Sequence, residues 1–439
     1  MLTKSKQFWQ SLRFSERFLI LFLLFSALFW VLVPALSWNA LPYDPAETLM
    51  WGSTFNWGSS KHPPLAGIML FHFCRLFSFQ DFSVFLLSQI CMTLGFLFLW
   101  KLARCFLDRD KSVMATLLIT FYFFYNYETP KFCANTPHLL FIPMMCYFFY
   151  RGTERNLLKD WLLLAFEGAC ACLSKYSSSV LFLAFLLYLL LDKEARKCLR
   201  TPGPYLAGAV FFLLLSPHIL HLFRTHGLVF HYISEGKTPG WGYFTQIFAM
   251  AGALLVPLAC MGFAAYLSFA LGRKSFLPFR NGHAPGSVKG VKYVSILLGT
   301  QAAFLLLMGI AGNRLELIWT YPVFLPAGIL ILSLIPTSPD PRSMRIFAFL
   351  AVLWGVFLLV LMLVQGNFIS KYRCHLDKNL LREEAEKFYR EKTGRKLVFV
   401  SGKIWESSLV QNAASYRIEA APMADPILLS LHENVIRGK

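Results

Sequence analysis

The residues best suited to chemistry fall between two long apolar runs, in the segment 39–82: Asp44, Glu47, Lys61, His62, Pro63 and Pro64. A carboxylate just beyond an apolar run meets water and stays ionised, so it can act as a general base or hold a cation. Asp44 and Glu47 are three residues apart and share one face of a helix that opens at Pro45. The same spacing also serves plain structure, with Asp44 capping that helix and Glu47 in its favourable first turn. A divalent metal ion could use both carboxylates, although two carboxylates alone are not a site. Lys61 and His62 are residue types that bind phosphate, and they equally suit an interfacial anchor beside the rigid Pro63-Pro64 turn.

Other candidates lie further along. Lys175 ends one apolar run and begins another, so it must snorkel to headgroups or meet an anion, with Tyr176 beside it. Lys131, near Glu128 and Asn135, could play the same part or be a surface lysine. Arg224 and His231 could close over a ligand, or simply be polar loop residues. Glu167 falls mid-run; its eight-residue offset from Lys175 is ~12 Å along a helix, too far for pairing. It must face a polar cavity or another helix. His218 and His221, near the end of a run, suit hydrogen-bonded packing or ligand contact.

Long apolar runs have to position these residues. The chain of 439 residues is 56% hydrophobic and 15% charged, with 44 Phe. So few charges cannot cover that much apolar surface in water, and runs of this length match the ~20 residues that cross a ~30 Å hydrocarbon layer. Residues 18–38, 83–103, 203–221, 245–270, 293–312 and 346–365 are the clearest spans; 111–127, 134–150, 160–174, 177–191 and 317–336 are weaker. No period-2 alternation supports a barrel. The expectation is an all-α polytopic membrane protein with about 11 transmembrane helices. The first loop adds two amphipathic helices lying in the interface plane, Pro45–Trp57 and Pro64–Phe77.

The formal charge of +18 reports orientation. With the N-terminus inside, 22 of the 42 Lys and Arg fall in inward loops and seven in outward loops before residue 366. Nucleic acid is not implied. The ten cysteines include no C-x-x-C pair, so neither zinc nor redox chemistry is indicated. The basic N-terminus with its long apolar run reads as an uncleaved first span. Residues 1–366 form the transmembrane domain. Residues 367–439 read as a small soluble α/β extension on the outward side: a charged helix Leu376–Thr393, a strand Lys396–Ser401 and a helix from Ile404.

The stretch Asp44-Pro45-Ala46-Glu47, then Trp57-Gly58-Ser59-Ser60-Lys61-His62-Pro63-Pro64-Leu65, resembles the first loop of the polyprenyl-phosphate-sugar-dependent glycosyltransferases of the GT-C superfamily. That group includes the lipid A aminoarabinose transferases and protein O-mannosyltransferases. Asn135-Thr136-Pro137, Leu173-Ser174-Lys175-Tyr176, Arg200-Thr201-Pro202-Gly203-Pro204 and Ser216-Pro217-His218 follow in the family's order. The resemblance covers roughly 20–235 and implies a GT-C fold. It also implies inverting transfer of a hexosyl or pentosyl group from a polyprenyl-phosphate-linked sugar donor. Asp44 matches the family's first-loop aspartate, as base or acceptor-positioning group. Glu47, Lys61, His62, Lys131, Lys175, Tyr176 and Arg224 are the substrate-binding candidates. Two departures stand out: Pro45 follows the aspartate where many members carry Glu, and Lys61-His62-Pro63 replaces an E-K-P order. The loose match at Asn313-Arg314-Leu315-Glu316 to Trp319 leaves that turn outside the expected site.

The resulting expectation is a glycosyltransferase of the bacterial inner membrane with its site facing the periplasm. Its acceptor would be a lipid-anchored glycan, lipid A or lipopolysaccharide core, and membrane lipids would surround it. The rival readings are a transporter or flippase and a non-catalytic scaffold. A transporter favours internal repeats and charged, broken helices at the midplane, and the chain shows no repeat.

Overall fold

The computed structural model describes residues 10–54, 56–59, 61–78, 80–226, 241–275, 287–313, 316–368, 376–413 and 418–422. Among these, six helices are long and apolar enough to cross a membrane. They are α1 (Phe14–Ser37), α4 (Asp81–Ala103), α9 (Gly203–Arg224), α10 (Trp241–Arg273), α11 (Val288–Ile310) and α13 (Pro341–Phe368). They coincide with the six clearest runs. Their exposed faces are apolar: Leu24 and Phe25 on α1, Phe212 and Leu213 on α9, Leu255 and Phe263 on α10, Phe349 and Leu353 on α13. Such surfaces belong against lipid chains.

The five weaker runs fold differently. The first becomes α5 (Arg109–Leu118) and two 3-10 turns; the last becomes a 3-10 turn, a helical turn Tyr321–Phe324 and α12 (Ala327–Leu334). Between them lie α6 (Asn135–Arg155), α7 (Leu158–Ser174) and α8 (Val180–Leu191). The described residues therefore do not confirm the expected count of about eleven spans. Of these five, α6 is enclosed along most of its length, so its neighbours rather than lipid cover it.

The first long loop holds α2 (Tyr43–Ser53) and α3 (Leu65–Arg75), each close to its expected place. They cross at two glycines. A Cβ on Gly52 would lie 2.1 Å from the Gly67 carbonyl oxygen, and one on Gly67 would lie 3.0 Å from the Gly52 nitrogen. Most of α2 is buried, so it is a packed helix rather than one lying free at an interface.

The C-terminal extension comprises α14 (Lys378–Thr393), strand β1 (Phe399–Gly402), α15 (Ile404–Ala413) and strand β2 (Glu419–Pro422). The strands pair in parallel, Phe399 opposite Glu419, with α15 as the crossover. The extension packs on α2: Met50 and Trp51 meet Phe399, Val400 and Ala420. It is also tied to the start of α4, where Lys378 Nζ lies 2.6 Å from Asp81.

Gly52→Ala forces α2 and α3 apart by backbone contact. The expected result is a loss of about 1–3 kcal/mol of stability, read as a lower melting temperature of the purified protein in detergent.

Candidate active site

The candidate residues gather where α2 and the loop after it meet the ends of α6, α7 and α9. Asp44 sits in the first turn of α2, half-buried. The helix begins at Tyr43 with Pro42 as its N-cap residue. Asp44 is therefore not the cap that its spacing also allowed. It lines a small cavity together with Glu128, Lys131, Cys133, Asn135 and Ile318. Burial pushes the Cys133 thiol up to about 12, so this wall is not a nucleophile at neutral pH.

Glu47, one turn later, is buried and ion-paired with Lys61, Nζ to Oε2 3.0 Å and to Oε1 3.3 Å. The ammonium also lies 5.6 Å from the centre of the Trp51 ring. Glu47 is thus committed to Lys61 rather than shared with Asp44. Among the described residues, no group of three His, Cys, Asp or Glu could hold a metal ion. The divalent ion considered for Asp44 and Glu47 finds no such site there.

His62 packs edge-on to Trp51, ring centroids 5.3 Å apart. Burial, then the charges of Lys61 and Lys175, hold its pKa well below the usual imidazole range. It is neutral at pH 7 and meets a ligand as a hydrogen-bonding ring rather than as a cation.

Lys175 follows the last residue of α7 and is the central cation. Nζ donates to Asn135 Oδ1 at 2.5 Å and lies 5.8 and 5.9 Å from the Trp319 and Tyr321 rings. Among the described residues it forms no ion pair. Burial pulls its pKa down from 10.5 to about 8, with Asp44 and Cys133 opposing and Lys61 assisting. Tyr321 fixes this floor. Its hydroxyl lies 2.6 Å from His138 Nδ1 and 3.3 Å from the Asn135 carbonyl, and its ring stacks on Phe124.

Tyr176 turns away from Lys175 toward α9. Its hydroxyl is 3.1 Å from His218 Nε2, while His218 Nδ1 is 2.5 Å from the Trp57 carbonyl. A carbonyl only accepts, so Nδ1 carries a proton and the tyrosine hydroxyl can donate to Nε2. His218 thereby joins α9, the Lys175 turn and the Trp57–His62 loop. The loop closes on it at Gly58, where φ is 155° and a Cβ would lie 3.1 Å from His221 and 3.3 Å from His218.

Against this geometry stand the comparisons with known proteins. Residues 61–221 match the family model described as dolichyl-phosphate-mannose-protein mannosyltransferase. The fold matches ArnT from Cupriavidus metallidurans in the apo state, TM-score 0.67 at 12% identity, over 95% of this chain and 88% of that one. The same enzyme bound to undecaprenyl phosphate matches at TM-score 0.66, also at 12% identity and the same coverage of both chains. No curated protein sequence matches. The chain thus shares the fold of ArnT, and its segment 61–221 resembles the mannosyltransferase family.

The family match includes Lys61, His62, Lys131, Lys175, Tyr176 and His218, but starts after Asp44 and Glu47 and stops before Arg224. Four of the candidates form one electrostatic group: Lys175 feels Asp44 and Lys61, and His62 feels both lysines. Lys131 joins them through the cavity it shares with Asp44, although its ammonium is paired with Glu128 at 2.9 Å. Arg224 is exposed at the end of α9 and bears on His221 instead. His231 and Arg314 lie outside the described residues. Glu167 is buried in α7, forms no ion pair among the described residues, and its Oε2 accepts no hydrogen bond.

Sequence reasoning set aside the turn that supplies Trp319 and Tyr321. Its motif match was loose, and aromatic residues abound in this chain. The usable signal was a Trp-Thr-Tyr-Pro cluster, 319–322, after a polar turn.

Proposed function

We propose that this enzyme transfers a sugar from a polyprenyl-phosphate donor to an acceptor on the outer face of a bacterial inner membrane. The observation that carries the reading is Lys175, a desolvated cation that has a neutral amide and two rings as neighbours and lies within electrostatic reach of Asp44. A lipid phosphate fits beside such a group, because a phosphate satisfies an unpaired ammonium far better than an amide does. The undecaprenyl phosphate in the ArnT structure of the same fold supports that choice of ligand. The dolichyl-phosphate-mannose specificity in the name of the matching family is of the same chemical kind.

The reaction is one displacement. An acceptor oxygen attacks the anomeric carbon, the bond from that carbon to the phosphate oxygen breaks, and the phosphate leaves with the electron pair. The configuration inverts. Asp44 receives the acceptor's proton or orients its hydroxyl, and Lys175 stabilises the charge developing on the phosphate. Lys61 adds positive potential while remaining tied to Glu47, and neutral His62 can donate a hydrogen bond. Tyr176 positions the Lys175 turn through His218. Lys131 bears on the acceptor from the cavity it shares with Asp44. The acceptor is a lipid-anchored glycan such as lipid A or lipopolysaccharide core, and the soluble extension stands on the periplasmic side with the first loop.

Asp44→Asn in reconstituted protein should lower sugar transfer by about 10²–10⁴-fold while leaving polyprenyl-phosphate binding intact; undiminished transfer would remove Asp44 from the chemistry. The Lys175 ammonium also sets a pH limit. Its cationic form dominates below about 8 and is lost above it, so affinity for undecaprenyl phosphate should hold at pH 7. It should then fall by about tenfold per pH unit above 8. In Lys175→Arg, whose charge does not titrate in this range, that inflection should vanish from the binding titration.

A further inference from the structure

The carbonyl of Leu41 presents an accounting problem that the catalytic residues do not solve. Leu41 is 1% exposed, and a buried carbonyl must find a donor. The helix itself supplies none: its first ladder bond runs from the Ala46 amide to the carbonyl of the N-cap residue Pro42 at 3.2 Å, and the extended backbone of Pro42 (ψ 167°) leaves the Leu41 carbonyl outside the ladder. The donor comes instead from the far end of the chain: Trp405 Nε1, on α15, reaches the Leu41 carbonyl at 2.9 Å. Trp405 is itself 6% exposed, so neither partner can turn to water.

We propose that Trp405 is a positioning residue for the transfer reaction, its indole N–H holding the Leu41 carbonyl and so fixing the chain that enters the first turn of α2, which carries Asp44. This rests on the reading of Asp44 given above. The N-cap residue of α2, Pro42, makes no side-chain cap. Further along the helix the extension holds α2 a second time, through Phe399, Val400 and Ala420 against Met50 and Trp51. Trp51 is in turn the ring that Lys61 and His62 lie against. The C-terminal extension is thus the wall on which the Asp44 helix is set.

The test uses full-length Trp405→Phe, which keeps a ring and removes the donor. It should lower kcat per folded molecule by about 10–100-fold through misplacement of Asp44, with the donor KM unchanged, and should speed hydrogen exchange at the Ala46, Glu47 and Thr48 amides. Wild-type kcat or wild-type exchange at those amides would overturn the proposal. The exchange readout needs no sugar donor. Faster exchange in a protein whose wild type transfers no sugar would therefore uphold the Trp405 link to α2 and refute the transfer reading alone.

Discussion

The structure is organised around the cost of keeping one ammonium group at the edge of a membrane bundle without a carboxylate beside it. A charge removed from water must be paired, shared with dipoles, or lost by a shift in pKa. At Lys175 all three responses are partial. Asn135 supplies a dipole, Trp319 and Tyr321 supply ring faces, and the pKa falls toward neutrality. Each of those supports comes from a different part of the chain, so the site exists only when α6, α7 and the 317–324 turn are in register. The hydrogen bonds from Tyr321 to His138 and Asn135 hold that register.

The other lysine of the site is treated in the opposite way. Lys61 has a buried carboxylate partner, Glu47, and this pair closes the loop between α2 and α3 over the glycine crossing. One lysine therefore builds the loop and the other is left with capacity for an anion. Had Glu47 faced Lys175 instead, the site would be neutralised before any ligand arrived. The spacing of Asp44 and Glu47 places both on α2, but their environments divide the work: Asp44 lines an open cavity, and Glu47 is enclosed.

Much of this was legible in the sequence, and the limits were physical. The six strongest spans were readable because each must present apolar side chains to lipid on its own account. The five weaker runs were harder to read because helices shielded by other helices need neither full length nor a lipid-compatible face. In the extension, the helices begin within two residues of their expected starts and the strand Phe399–Gly402 overlaps the expected Lys396–Ser401, since these elements follow local pattern. Asp44, Lys61, His62 and Lys175, named together from motif and charge, lie within electrostatic reach of one another. What pattern could not give was partnership. That Glu47 takes Lys61, that Tyr176 serves His218, and that Trp405 reaches the Leu41 carbonyl are facts of contact, and no local pattern encodes them.

The account's central claim is that Lys175 is where the donor phosphate sits. The most direct measurement is a structure of this protein with undecaprenyl phosphate bound. The account predicts the phosphate within hydrogen-bond distance of Lys175 Nζ, on the side of Asp44, with the polyprenyl chain running into the lipid-facing surface. A phosphate seated away from Lys175, with the Lys175–Asn135 contact unchanged, would contradict it.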